Sequence, residues 1–210
     1  MNWSPPQRIE RRGQFVALTP LDAAADLAEL YQASHDPVEY QSVWTYLPNG
    51  PYADSVAMQT VLQRFQHAPE FVFFTATSLE LQRKIGQIAI MSIDANHGRA
   101  ELGHIWYSPL VQRSKINTEA TYLLLAYLFD DLGYRRVEWK CNNENIPSRT
   151  TAQRMGFVYE GLFRQHMLVK GRNRDTAWFA MLDHEWPQRK ANFERFLYSG
   201  EAVSLTELNR

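Results

Sequence analysis

At 210 residues, with 45% hydrophobic and 21% charged side chains, the chain has the size and composition of one globular domain that needs no disulfide or metal to hold it together. A formal net charge of −1 gives no sign of a nucleic-acid binder, and the single cysteine, Cys141, cannot close an internal disulfide. There is no membrane-length apolar run, and the stretch 1–12, polar and carrying Pro5 and Pro6, lacks the apolar segment of a signal peptide, so the expectation is a cytoplasmic protein with no membrane partner.

Phe15–Leu18 reads as a first strand. Thr19-Pro20 then offers a cap and a proline for the first helical turn, and Leu21–Ala33 follows with Leu21, Ala24, Ala25, Ala28 and Tyr31 at helical spacing. Residues 34–52 hold Pro37, Pro48, Gly50 and Pro51 and read as loop; Tyr40, Trp44, Tyr46 and Tyr52 there (the last at its end) serve equally well as lining of a pocket or as core contacts. A second helix is expected over 53–66. Strand signals then follow at 71–77, 85–93 and 99–107, with Asn96-His97-Gly98 turning between the last two, so the centre reads as an antiparallel meander. The period changes at Thr118–Leu132, a helix with a wide apolar arc closed by Gly133, and Val137–Cys141 returns to strand. A strand, a crossover helix and a further strand make a βαβ unit with a locally parallel pair. A short helix over 148–155 ends at Gly156, strands over 157–169 and 176–182 flank a turn at 170–173, and 184–196 is expected to be helical.

This order of elements resembles the GNAT acetyltransferase fold, and the local sequence agrees. Gly86–Ile90 with Ala100–Pro109 resemble the family's hairpin leading to the acyl-CoA site, and Thr118-Glu119-Ala120 the opening of its coenzyme helix. Asn145-Ile146-Pro147-Ser148 followed by Gly156-Phe157, then Glu160-Gly161 and the run 171–175, resemble the branch containing the ribosomal-protein N-terminal acetyltransferases. The resemblance covers about residues 10–187. It implies an α+β GNAT fold: a mixed central sheet, antiparallel meander then parallel βαβ pair, splayed at the acyl-CoA site and flanked by helices. The expected organisation is one domain over 1–210, with an extension at 1–12 and a helical tail at 188–210.

The resemblance also implies an N-acetyltransferase that moves an acetyl group from acetyl-CoA, as cosubstrate and without a metal, to a primary amine by direct attack. The acceptor is a protein N-terminus or a small molecule, and a homodimer is one assembly this reading allows. The expected coenzyme contacts are the backbone around Ile105, Trp106 and Tyr107, then Gln112, Arg113, Lys115, Asn117 and Thr118 at the pyrophosphate loop, and Asn145 with Ser148. One departure stands out: Lys115 and Asn117 occupy the two positions where the family has small residues. Either the phosphate nest is distorted, or Arg113 and Lys115 supply charge in its place. The same departure keeps open a non-catalytic acyl-CoA-binding or sensor module.

For the chemistry, the resemblance gives Ser148 the protonation of the leaving thiolate, against a plain helix cap. Glu101 is the candidate base, against an exposed strand glutamate, and Asn145 contacts the coenzyme or only makes an Asx turn. His104, three residues beyond Glu101, points to the opposite face of an ideal strand unless a bulge intervenes. Cys141 is expected to be buried and inert, and the remaining histidines have no metal spacing.

Overall fold

The computed structural model describes residues 3–210. Eight strands form one sheet in the order β1-β2-β3-β4-β5-β6-β8-β7. They are β1 (Arg11–Arg12), β2 (Val16–Pro20), β3 (Val72–Ser78), β4 (Arg83–Asp94), β5 (Arg99–Tyr107), β6 (Arg136–Asn142), β7 (Val158–Val169) and β8 (Arg172–Leu182). All neighbours are antiparallel except β5 and β6, the pair bridged by the crossover helix. The helices are α1 (Ala23–His35), α2 (Ser55–His67), α3 (Ile116–Ala126), α4 (Ile146–Arg154), α5 (Trp186–Tyr198) and the short α6 (Leu205–Leu208). No helix among the described residues is long and apolar enough to cross a membrane.

Strand alternation splits the core in two. In β3, Phe74 is buried against Ile88, Leu102, Leu124 and Phe193 on the face covered by α3 and α5. Its neighbour Phe73 turns to the other face and packs with Leu30, Met58, Leu62, Trp44 and Trp106 under α1 and α2. Glu119 fastens α3 to the sheet. Its carboxylate, fully buried, accepts the amides of Gln14, Phe15 and Val16 at 2.7–2.8 Å and the Tyr198 hydroxyl at 3.0 Å. Gly13 is required beside it, because a Cβ there would overlap that carboxylate.

Several boundaries differ from the sequence reading, each for a local reason. Thr19-Pro20 does not open α1; both residues stay paired with Thr75 and Phe74, and Asp22 caps the helix by accepting the amides of Ala24 and Ala25. The crossover helix starts at Ile116, two residues early, and its end widens into a π-turn over Tyr127–Asp131 before Gly133. The loop 34–52 contains a 3₁₀ segment, Val38–Trp44. The final hairpin is tighter than expected: Lys170 and Gly171 both have positive φ, 50° and 74°, the two-residue turn that matches strand twist. Residues 172–175 therefore belong to β8 rather than to a loop.

Candidate active site

The parallel pair β5–β6 is joined only from Arg99↔Arg136 to Leu102↔Trp139, although β5 runs on to Tyr107 and β6 to Asn142. Beyond Leu102 the two strands separate, and the β6-facing backbone groups of Gly103–Tyr107 are left without a ladder partner on that side. A cavity of about 1040 Å³ passes through this opening and is lined from both faces of the sheet. Gly86 permits the strand geometry here, since a Cβ would meet the Trp106 carbonyl and the Tyr107 ring. Pairing ends at Tyr107, and Ser108 caps the 3₁₀ turn Pro109–Val111.

On the α3–α4 face the lining includes Gln112, Arg113, Asn117, Ser148 and Arg154. The amides of Asn117 and Thr118 lie in the first turn of α3 and have no intrahelical carbonyl to bond, which gives this helix start an affinity for anions. The loop needs no glycine at either departing position. Lys115 sits at φ −76°, Asn117 is already helical, and the left-handed residue is Arg113 at φ 64°. Asn117 Oδ1 is buried without a hydrogen-bond partner. Arg154 reaches back to Thr118 Oγ1 at 3.0 Å, and burial pushes its pKa down.

Lys115 is placed otherwise than expected. Its ammonium donates to the Leu197 carbonyl at 2.8 Å and lies over the Phe15 and Phe196 rings, away from the cavity. A cation at the carbonyl end of a helix is stabilising, so this charge serves the fold. Thr118, buried and held by Arg154, also stays off the cavity wall.

Ser148 and Asn145 exchange the roles that a sequence reading leaves open. The cap of α4 is Asn145, whose Oδ1 accepts the Ser148 amide at 3.1 Å. Ser148 Oγ is therefore free of capping and accepts the Trp139 indole N–H at 3.0 Å. An indole can only donate, so the serine keeps its own proton for another acceptor. The buried Cys141 thiol is adjacent, and desolvation pushes its pKa up, against the lowering effect of the Ser148 hydrogen bond.

On the α1–α2 face, Glu101 is 4% exposed rather than an exposed strand glutamate. Its carboxylate pairs with Lys140 Nζ at 2.6 Å and accepts from Ser92 Oγ at 2.9 Å. Burial pushes its pKa up, while Lys140 and Ser92 pull it down. The bulge that would reunite Glu101 and His104 is present: Gly103 pairs with Ala89 and Trp106 with Gln87, so two β5 residues stand opposite one on β4, and His104 takes φ 50°. The ring of His104 lands among Phe65, Phe71 and Phe73, on the same face as Glu101. Burial, aided by the charges of Arg64 and Arg174, pushes its pKa down to about 4. The four aromatics of the 34–52 region divide. Trp44 and Tyr52 pack into the core, Tyr40 lies off the cavity, and Tyr46 lines it while its hydroxyl donates to the Glu144 carbonyl at 3.2 Å. Of the coenzyme strand residues, Trp106 turns its indole to Gln87 Oε1 at 3.1 Å, Ile105 packs on the opposite core, and the Tyr107 hydroxyl is buried without a partner.

Three lining residues carried no sequence signal, Arg154 on α4 and Ser204 and Leu205 at α6, while Arg174 on β8 fell within the hairpin run 171–175 without being singled out as a site residue. Arg154 follows Ser148 by six residues on a nine-residue helix, a spacing that no motif marks.

Residues 16–158 match the family model described as acetyltransferase (GNAT) domain. A GCN5-related N-acetyltransferase from Brucella melitensis superposes with a TM-score of 0.95 at 39% identity, over 99% of this chain and 97% of that one. The uncharacterized N-acetyltransferase p20 of Bacillus licheniformis is 27% identical over 77% of this chain and 89% of its own length. The Bacillus subtilis (strain 168) protein named "Putative ribosomal N-acetyltransferase YdaF" is 30% identical over 50% of this chain, a match that spans 57% of that protein. The class is thus an acetyltransferase. The chain belongs to the GNAT acetyltransferase family, with that family's α+β fold.

Proposed function

We propose that the chain is an acetyl-CoA-dependent N-acetyltransferase whose acceptor is a primary amine. The observation that carries this is the interrupted β5–β6 ladder, with a cavity through it that has Arg113, Arg154 and the α3 amides on one face and Glu101 on the other. The donor set fits the coenzyme: two guanidinium groups and free helix amides for phosphate oxygens, and unpaired β5 edge groups for an amide-containing arm. Acetyl-CoA supplies an activated thioester carbonyl; the protein's own part is positioning and proton handling. Glu101, or a water held by it, takes a proton from the incoming ammonium, and its raised pKa suits that task. Ser148 gives its proton to the departing sulfur, which its bond from Trp139 leaves available. The name of the Bacillus subtilis relative, a ribosomal N-acetyltransferase, supports a ribosomal amine among the acceptors. The reading of a non-catalytic coenzyme-binding module rested on Lys115 and Asn117; since neither needs a glycine's backbone, that support weakens.

Acetyl-CoA at ~100 times its dissociation constant should add ~2.7 kcal/mol to stability. Absence of a melting shift at millimolar acetyl-CoA, in folded protein, refutes the enzyme reading. A shift without thiol release across a broad amine panel would instead favour the non-catalytic module.

A further inference from the structure

The charges that line the cavity do not balance. Its wall carries one carboxylate, Glu101, and four cations, Arg113, Arg154, Lys140 and Arg174. Strand parity sorts them. Glu101 pairs across with Glu138, Lys140 lies two residues along the same strand, Lys140 pairs with Trp178, and Arg174 precedes Trp178 by four on β8. Glu101, Lys140, Trp178 and Arg174 therefore share one sheet face, the one opposite Ser148, Arg113 and Arg154. Contacts agree: Lys140 Nζ sits 2.6 Å from Glu101 and 4.2 Å from the Trp178 ring centroid. Lys140 and Glu101 neutralise one another, which leaves Arg174.

Among the described residues no side chain or carbonyl hydrogen-bonds to the Arg174 guanidinium, and its Nε is buried without a partner. Burial pushes its pKa down, and its charge is felt at Glu101 and at His104, both on the cavity wall. Arg174 is half-buried, with its Nε enclosed and no anion beside it, an arrangement that a ligand bearing an anionic group would complete. Its mounting is rigid: the β7–β8 turn is tied to the acceptor-side loop by Lys170 Nζ, which donates to the Trp44 carbonyl at 2.7 Å.

We propose that Arg174 binds an anionic oxygen group of the acceptor, so that the substrate is a primary amine that also carries a carboxylate or a phosphate ester. This rests on the N-acetyltransferase reading and names its substrate class. The planar fork of arginine receives two oxygens at once, which orients the amine toward Glu101 and the opening in the sheet. A polyamine would place a second cation against Arg174 and is disfavoured.

The test uses matched acceptors with acetyl-CoA: amino acids and dipeptides as free acids and as C-terminal amides, phosphoethanolamine against ethanolamine, and spermidine. Thiol release is followed, and acetyl-CoA binding is measured separately by melting shift. The free acids or the phosphate ester should exceed their neutral counterparts by at least about tenfold in kcat/KM, the range of a hydrogen bond to a charged group. The preferred arm tells carboxylate from phosphate. Arg174→Gln should erase that preference through KM while leaving the melting temperature unchanged or raised; Arg174→Lys should restore part of it. Equal use of acids and amides, preference for spermidine, or a lowered melting temperature with the preference intact overturns the inference while leaving the enzyme reading standing. A melting shift with no turnover of any anionic amine also overturns it. Failure to bind acetyl-CoA refutes instead the reading beneath it.

Discussion

Lowering the pH tests the bulge that turns His104 into the aromatic cluster. The imidazole, held among Phe65, Phe71 and Phe73, has its pKa pushed from 6.5 to about 4 by burial and by the neighbouring cations. In the unfolded chain the ring titrates near its ordinary value. Between pH 6.5 and 4, unfolded molecules thus hold a proton here that folded ones refuse, and stability rises with pH across that window. At about 1.4 kcal/mol for each pKa unit, the fall on acidification amounts to roughly 3 kcal/mol, complete near pH 4 and absent above pH 6.5. The comparison variant is His104→Asn, which does not titrate and tolerates the left-handed backbone at φ 50°. Urea unfolding of both proteins at pH 7, 6, 5 and 4 gives two stability profiles, and other groups such as His35 contribute equally to each. The wild type should lose roughly 3 kcal/mol more than the variant over the window. Parallel profiles would refute the burial of a neutral imidazole at this bulge.

Ser148→Ala should lower kcat by roughly 10²-fold, with coenzyme affinity and melting temperature nearly unchanged because Asn145 holds the cap; a wild-type rate would remove the proton-donor role. Lys115→Ala should leave acetyl-CoA affinity unchanged by calorimetry and cost on the order of 1 kcal/mol, since its ammonium caps α5 at the Leu197 carbonyl. Arg154→Ala should weaken coenzyme binding several-fold and flatten its salt dependence, and an unchanged constant would place the phosphates elsewhere. Gly13→Ala should destabilise by more than about 2 kcal/mol in urea melts, because Glu119 cannot yield to a Cβ without releasing three backbone amides.

Much of the fold follows from period and punctuation. The alternation of 99–107 gave β5 its observed limits, Gly133 and Gly156 close their helices at positive φ, and the change from period two to helical spacing at residue 118 announced the crossover that makes β5 and β6 parallel. The lining of the cavity was legible where a residue's place along the chain fixes its position: Gln112, Arg113 and Asn117 near the start of α3, and Asn145 with Ser148 at the start of α4. It was illegible where a residue acts through a partner far away in sequence. A bulge has no period, so only the pairing of β5 with β4 puts His104 beside Glu101. Lys115 looked like a phosphate ligand until α5, some 80 residues later, offered it the Leu197 carbonyl. Arg174 lay between the turn expected at 170–173 and the strand expected from 176, and it becomes strand because β7 supplies the ladder that its own propensity does not. The sequence by itself determined which elements form and in what order, since local propensity and hydrophobic period act within a few residues. Tertiary structure alone decided where β5 and β6 part, which charges find partners and which face the cavity without a counter-ion, because those outcomes depend on distances between segments that no local pattern encodes.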